Sequence, residues 1–431
     1  MELFKKLLIG ILSFVVLLFY SCKMDEAVVV VGVSFEPERE FNYVHEKCDW
    51  TVMVYMPADN NMEKSAMEEI NEMEVADFDS EKNHVIVLVD TNNSMEGYEE
   101  EWKGTRLYEV VHDKNGMNNK IASLRLGCRE LNLSSTRECE LDMSDPDILK
   151  NFVSSTKKYY PAEHYAFIMW GECSGYSGKK SDLRAVAFDD TSLSYMDNSD
   201  FADSLKNGLE KKFDMLALDS CFGSEIELLS EFERCAEYCV GIEGLQKTEG
   251  WDYRSLLNVL NQENADGKIL GQSILESQLK DNISLVDLSG VKSLCDEFDL
   301  FAGKIAESIK IKTTAEKMKN EILASDFCFM PHESSVNPVY VDIKSLAQKY
   351  GGQSLVSCIE KMSECKNQNY GGIGVFFCNM DENNNLMEKI PADYVKNGDG
   401  SNCSFVENSN HYAFSKGKSG TLLDKLFGNY F

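Results

Sequence analysis

The sequence predicts an α/β protein: a mostly parallel sheet sandwiched by helices. Three observations carry this reading. Runs that are apolar throughout recur along the chain, "WTVMVYM" (50–56), "HVIVLVD" (84–90), "YAFIMW" (165–170), "FDMLALD" (213–219) and "EYCVGI" (237–242). Helically patterned stretches lie between them. Strands without a polar face must be covered on both sides, and parallel neighbours need long crossovers. With 431 residues, 43% of them hydrophobic, the chain is long enough for one large domain or two ordinary ones.

Taken in order, residues 1–22 read as an export signal. Lys5 and Lys6 precede an apolar run from Leu7 to Tyr20, and Ser21-Cys22 follow. The run falls short of the ~20 residues of a comfortable membrane span. A cysteine in that place resembles a bacterial lipoprotein signal, with Cys22 as the lipidated residue. "FYSC" departs from the usual Leu-Ala-Gly-Cys box at Phe19 and Tyr20. Ordinary secretion and a retained anchor are the alternatives. Each places the chain at a bacterial cell envelope or outside it. Residues 23–47 are polar apart from "AVVVVGVSF" and read as a tether.

The core is expected over 48–290. A helix is predicted from Met62 to Val75, and a polar, cysteine-bearing insertion of hairpins over 91–143. A helix follows over Asp145–Lys158, with Ser144 as its N-cap and Pro146 at its first position. Further helices are predicted over Asp200–Glu210 and Gly223–Cys235, and residues 251–325 read as mainly helical. Residues 291–431 are expected to complete the fold with helical and strand elements. Among them "NPVYVDIKSLAQKY" opens another unit, and "GGIGVFFC" (371–378) reads as a late strand of the same sheet. No internal repeat or low-complexity tract is found.

A formal charge of -29 argues against nucleic acid as a partner and against electrostatic docking on anionic lipid. It favours basic partners weakly. Of fourteen cysteines, thirteen remain when Cys22 is set aside, so at least one is unpaired or pairs between chains. Cys128 with Cys139 and Cys358 with Cys365 are local disulfide candidates. Cys235 and Cys239 stand at helical spacing and read more simply as buried thiols.

In an open parallel sheet, function gathers beyond the carboxyl ends of the strands. The segments there are "PADNN", "TNNS", "GECSGYSG" and "SCFGSEIELL". The last places Cys221 just past a strand and at the expected start of a helix. Unpaired N–H groups at a helix start favour a thiolate and can hold an oxyanion, which makes Cys221 a candidate nucleophile. The plainer reading is a small residue at a strand–helix junction.

These segments together resemble the clostripain family of cysteine peptidases, which has a caspase-like fold. "WTVMVYMPADNNME" is similar to the family's opening strand and loop. "YAFIMWGECSGYS" lies where the family has a strand running into Trp-Asn-His-Gly-Ser-Gly-Trp. "AVAFDDTS", "LALDSCFGSEIEL", "TEGWDY" and "GIGVFF" resemble later family segments, in order, so the likeness covers most of 49–378. It implies Cys221 at the nucleophile position. It implies Asp219 at the acidic position that accepts the Arg or Lys side chain beside the cleaved bond. Lys179 and Lys180 lie where members are often cut to mature, although a solvated loop is the plain reading. Asp189 and Asp190 are a candidate calcium pair set against ordinary surface acids. No metal ligand is assigned and no cofactor is expected.

The departure is at the histidine. Aligned on Trp170, Ser174 and Gly175, Glu172 takes its place, Gly171 replaces the asparagine and Cys173 the glycine. A cysteine peptidase needs a base for the thiol and an acid for the leaving amine, and histidine serves as both. Glutamate, with a reference pKa of about 4.3 against about 8.5 for a thiol, would take the proton uphill by roughly 5–6 kcal/mol. Ionised, it would also oppose a neighbouring thiolate.

Of the six histidines, His164 stands eight residues back from Glu172, about 26 Å along an extended strand. His84 also begins a strand, while His45 and His112 fall in the tether and the insertion. His332 and His411 remain open as substitutes. If the strands bearing Cys173 and Cys221 are neighbours, a disulfide between the two is a further candidate. The resulting expectation is an envelope-anchored homologue, peptidase-inactive or impaired, that binds peptide segments, basic ones included. The alternatives are an active cysteine endopeptidase cleaving after Arg or Lys, and thiol redox chemistry from Cys173 and Cys221.

Overall fold

The computed structural model describes residues 43–92, 102–173, 186–209, 211–246, 250–278, 282–330, 336–381, 383, 409–411 and 420–427. Cys22, the signal, most of the tether, Ser174, Gly175, Lys179, Lys180 and His332 lie outside them.

The apolar runs form the strands the sequence predicts. β1 (Cys48–Pro57) is followed by helix α1 (Glu63–Glu74), then β2 (Asn83–Thr91), β3 (Gly104–Glu109) and β4 (Leu124–Leu126). Next come α2 (Pro146–Tyr159), β5 (Ala162–Trp170), β6 (Val186–Asp189), β7 (Ser194–Met196), α3 (Asn198–Gly208), β8 (Phe213–Asp219), α4 (Ile226–Phe232) and β9 (Ala236–Ile242). α5 (Tyr253–Asn258), α6 (Gly267–Ser277), β10 (Ile283–Asp287), α7 (Val291–Ser308) and α8 (Lys312–Leu323) follow. The C-terminal part supplies β11 (Cys328–Phe329), β12 (Val336–Asp342), α9 (Ile343–Tyr350), α10 (Gln353–Met362), β13 (Ser363–Cys365), β14 (Gly374–Asp381) and a last described helix, Leu422–Phe427.

Among the described residues a nine-stranded sheet runs β13-β10-β9-β8-β5-β1-β2-β3-β4. Its centre is parallel throughout: β2 on β1, β1 on β5, β5 on β8, β8 on β9. Antiparallel strands close both flanks. The apolar runs are explained by the two layers that cover them. Met53 and Tyr55 of β1, with Leu216 and Leu218 of β8, pack among α2, α3, α4 and α7. Their alternates Val52, Val54, Met56, Met215 and Ala217 pack among α1, α5 and α6. Both faces are dry, which holds the strand ends in fixed register.

Several expectations are corrected. The residues of the insertion do not form separate hairpins alone: β3 pairs antiparallel with β2, and β4 with β3, extending the sheet. α2 is capped by Asp145, whose side chain accepts from the Asp147 N–H, while the Ser144 hydroxyl turns to Asp142; Pro146 does open the helix. β10 was hidden in the stretch read as helical, because a five-residue apolar run carries no period of its own. The late strand β14 does not join the main sheet. It pairs antiparallel with β12 in a three-stranded sheet, β11-β12-β14. The main sheet's place beyond β10 is taken by β13, three residues long.

The turn after β8 is held from below by β9. The Phe222 N–H donates to the Gly244 carbonyl and the Gly223 N–H to the Ile242 carbonyl, each at 2.8 Å. A Cβ on Gly241 would stand 2.4 Å from the Gly223 oxygen. Gly241→Ala must therefore push the Cys221 turn off β9 or strain it. The expected cost is about 1–3 kcal/mol in urea unfolding, the range for overpacking a filled interior, with an unaltered unfolding slope.

Candidate active site

β5 and β8 are neighbours, and their register places Trp170 opposite Asp219. Glu172 and Cys221 each stand two residues beyond that pair, at the carboxyl edge where a parallel sheet collects function. The chain leaves β5 through Gly171, whose φ of +126° suits a residue without a Cβ, and the Gly171 N–H donates to the Asp219 carbonyl at 3.2 Å. Glu172 is half-buried. Cys173 is buried and bridges Val186 at the start of β6.

Cys221 is partly exposed, and its Sγ accepts the Gln246 backbone N–H at 3.3 Å. It does not start a helix, as the sequence suggested. α4 begins at Ile226 with Glu225 as its N-cap residue. The N–H groups just after Cys221 are already spent on Gly244 and Ile242. Helix-end stabilisation of a thiolate is thus withdrawn, and the Gln246 N–H stands in its place as a donor to sulfur. Cys173 and Cys221 are not joined in a disulfide, nor are Cys128 and Cys139, Cys235 and Cys239, or Cys358 and Cys365. Cys235 and Cys239 are buried thiols, with burial pushing Cys235 up to about 12.

Asp219 is buried to 3% exposure beneath the turn. Its Oδ1 accepts from Gln246 Nε2 at 3.0 Å, and its Oδ2 from the Trp251 N–H at 3.2 Å and the Tyr253 hydroxyl at 3.1 Å. Two further acids, on α1, were not singled out in the sequence. Glu69 is buried and acts electrostatically on Asp219, and the carboxylate of Glu72 accepts from the Tyr253 N–H. A Cβ on Gly250 would meet Glu69 Oε1 and Asp219 Oδ2 together, so glycine lets this corner close. Burial, then the charge of Asp219, pushes Glu69 up to about 11. Burial pushes Asp219 up to about 7 against the pull of its three donors. Carboxyls so placed keep protons near neutrality and would release them to a cation. The signal for Glu69 and Glu72 was their i,i+3 spacing on the helix after "PADNN", which brings two acids onto one helix face.

The described histidines are engaged elsewhere. His164 Nδ1 is 2.8 Å from Asp214 at the opposite, amino end of β5, and His84 Nδ1 is 3.0 Å from Glu109. His45 stacks on Tyr160 beside His84, and His112 is exposed in the insertion. His411 is fully buried, with Nε2 at 2.9 Å from the Phe376 carbonyl, and burial lowers it to about 4. At neutral pH such a ring stays uncharged and sealed from a peptide bond.

For an acid whose folded-state pKa exceeds its unfolded value, the folded state holds the proton more tightly. Its contribution is full below about pH 4 and is lost as pH rises through about 7. Wild type should therefore lose stability relative to Asp219→Asn across that window, by up to a few kcal/mol. Urea unfolding of both proteins at pH 4.5 and pH 8 checks this; parallel profiles would contradict it.

Comparison with known proteins bears on family and fold. The clostripain family profile matches residues 54–415. Clostripain from Hathewaya histolytica is 31% identical over 193 residues, 42% of this chain and 35% of its own length. The chain thus spans about a third of that curated relative. In fold it is similar to a secreted C11 cysteine protease from Bacteroides thetaiotaomicron in complex with an irreversible peptide inhibitor. That likeness has a TM-score of 0.56 and 15% identity, and covers 80% of this chain and 95% of the other. An inactive zymogen C11 protease from Parabacteroides distasonis is similar at TM-score 0.54 and 13% identity, covering 77% and 93%. With the profile spanning most of the chain and the overall fold similar to that of solved C11 proteases, this protein belongs to the clostripain family of cysteine peptidases.

Proposed function

We propose that this chain is a peptidase-impaired clostripain homologue that holds basic peptide segments at the cell envelope. The observation that carries this is the pairing of β5 with β8. It sets Glu172 and Cys221 each two residues beyond the Trp170–Asp219 pair, which supports reading Glu172 at the position where the family resemblance expects histidine. A glutamate there cannot both relieve the thiol of its proton and return one to an amine leaving group. Asp219 would receive an Arg or Lys side chain, with Glu69 and Glu72 behind it. Entry of a cation would displace the Gln246 amide and draw protons off acids that burial now keeps protonated. The neighbouring solved protease bound by a peptide inhibitor supports a peptide as the ligand class.

A second reading, an active endopeptidase cleaving after Arg or Lys, draws on one observation: Cys221 is accessible and its sulfur receives an N–H donor. The two readings part in a reporter assay. The purified ectodomain should show no Cys221-dependent cleavage of Arg or Lys peptides; turnover abolished by Cys221→Ala would sink the first reading. Glu172→His, with Cys173→Gly to restore the turn, should then raise cleavage by 10²-fold or more, about the contribution of a placed acid–base group.

In the same proposal residues 1–22 direct export, residues 23–47 tether, and residues 48–290 with 291–431 form the ectodomain. Among the described residues no helix is long and apolar enough to cross a membrane. Cys22 would carry the lipid. Intact-mass measurement of the native protein should show a diacylated Cys22, and Cys22→Ser should free the protein from the membrane fraction.

A further inference from the structure

β9 ends at Ile242, and the residues that follow it reach the Cys221 turn. The Gly244 carbonyl receives the Phe222 N–H, the Gln246 N–H donates to Cys221 Sγ, and the Gln246 side chain donates to Asp219. The first residue of this segment is Glu243, which is completely buried. So are Asp342, which ends β12 and caps α9, and Glu225, which precedes α4. A Cβ on Gly374, at the start of β14, would stand 3.7 Å from both Glu225 Cγ and Glu243 Cβ. The acids therefore pack where the C-terminal sheet meets the edge that carries Cys221.

Hydrogen bonds distinguish the three acids. Asp342 Oδ1 accepts from the Ser345 N–H at 2.7 Å, and Oδ2 from the Gly371 N–H at 2.8 Å. Neither oxygen of Glu243 receives a donor, and neither does either oxygen of Glu225. Yet the Glu243 carboxyl lies in hydrogen-bonding contact with Asp342. Two bare carboxylates in that contact would be two acceptors face to face, at full desolvation cost. A proton between them turns the same contact into a charge-assisted O–H···O bond, one of the stronger kinds. Asp342 already holds its N–H donors, so Glu243 is the group that carries the proton.

We propose that Glu243 and Asp342 share one proton, and that this proton is a latch keeping residues 243–246 down on the Cys221 turn. Among the described residues no cation balances a second charge there. Lys344, near Asp342 in sequence, turns to the Gln368 carbonyl and to Glu360. The other titratable groups that face Glu243 are Glu225, Cys365 and Tyr370, while Glu227 and Cys239 face Glu225. All of them are neutral or negative, so each opposes ionisation of Glu243, as burial does.

Burial, then Asp342, holds the Glu243 carboxyl well above the usual carboxylate range. An acid raised in this way contributes stability fully below its unfolded value, and the contribution is lost as pH rises through the folded one. Loss of the proton to a base in solution leaves two adjacent buried charges, a strain relieved when residues 243–246 lift. Lifting breaks the Gln246 contacts with Cys221 and Asp219 together. The edge is thus held shut at neutral pH and opens on the alkaline side, whether it binds peptides or cuts them.

The test is hydrogen exchange, read by mass spectrometry, on the mature protein from about pH 6.5 to about pH 10. Protection of residues 240–246, divided by that of β2 in the same sample, should fall ~10-fold or more in wild type. Glu243→Gln keeps a donor to Asp342 and has no proton to lose, so its ratio should change less than about threefold. Asp342→Asn leaves one carboxyl in the pair, keeps a residue suited to capping α9, and should flatten the profile likewise. Glu243→Ala removes the pair outright and should show the low ratio already at the acid end. A wild-type ratio that stays unchanged up to about pH 10 overturns the proposal. So does an equal fall in wild type and in either conservative variant.

Discussion

The parallel pairing of β5 with β8 governs the functional end of this molecule. It fixes Trp170 opposite Asp219, and everything beyond the two strand ends inherits that register. Because both faces of the sheet are buried, a slip of one residue would turn Met53, Tyr55, Leu216 and their alternates toward the wrong layer. The register is therefore expensive to change, and the positions of Glu172 and Cys221 are set by core packing rather than by their own interactions. The turn after β8 is then drawn down onto β9 by two backbone hydrogen bonds, at a place where Gly241 leaves room for the crossing. A site built in this way can lose a chemical group and keep its shape.

Charge adds a second layer to that frame. The chain is strongly acidic, yet several of its carboxyls are buried in groups rather than spread over the surface. Glu69, Glu72 and Asp219 gather under the Cys221 turn, and Asp59, Asp90 and Asp189 gather beyond β1 and β2. In each group burial raises the acids, and neighbouring carboxyls raise them further. Hydrophobic residues of equal size would pack these places at lower cost. What carboxyls supply instead is affinity for positive charge. The two groups differ in kind. Asp219 has all its donors in place and would exchange Gln246 for a basic side chain, whereas Asp59 and Asp90 each hold one oxygen bare.

The central strands were legible in the sequence, since an apolar run flanked by helices has one economical use, whereas the pairing of β5 with β8 entered only as a condition. The edges were not legible. β13 has three residues and β10 five, too few to show a period, and the late strand β14, expected in the same sheet, pairs with β12 instead. The position of Cys221 was legible, but its surroundings were not. A helix start was inferred from the apolar run after Gly223, whereas α4 waits until Ile226 because the intervening N–H groups serve β9. The acid clusters were the least visible feature. Glu69 and Asp219 are 150 residues apart in sequence, and Asp59 and Asp189 are separated by 130, so only the folded sheet brings them together.

On the proposed function, binding and chemistry draw on different parts of the edge, and that separation gives a glutamate at position 172 its meaning. Recognition of a basic side chain would rest on Asp219 and the acids of α1, below the turn, and bond cleavage on what stands near Cys221, above it. Glutamate at 172, read at the histidine position, would leave the lower part untouched and lack the group able to alternate between base and acid near neutrality. It also adds negative charge where a thiolate would need the opposite. On that reading the buried acids below the turn and the glutamate above it divide the work: a receptor for positive charge that holds its ligand and does not sever it.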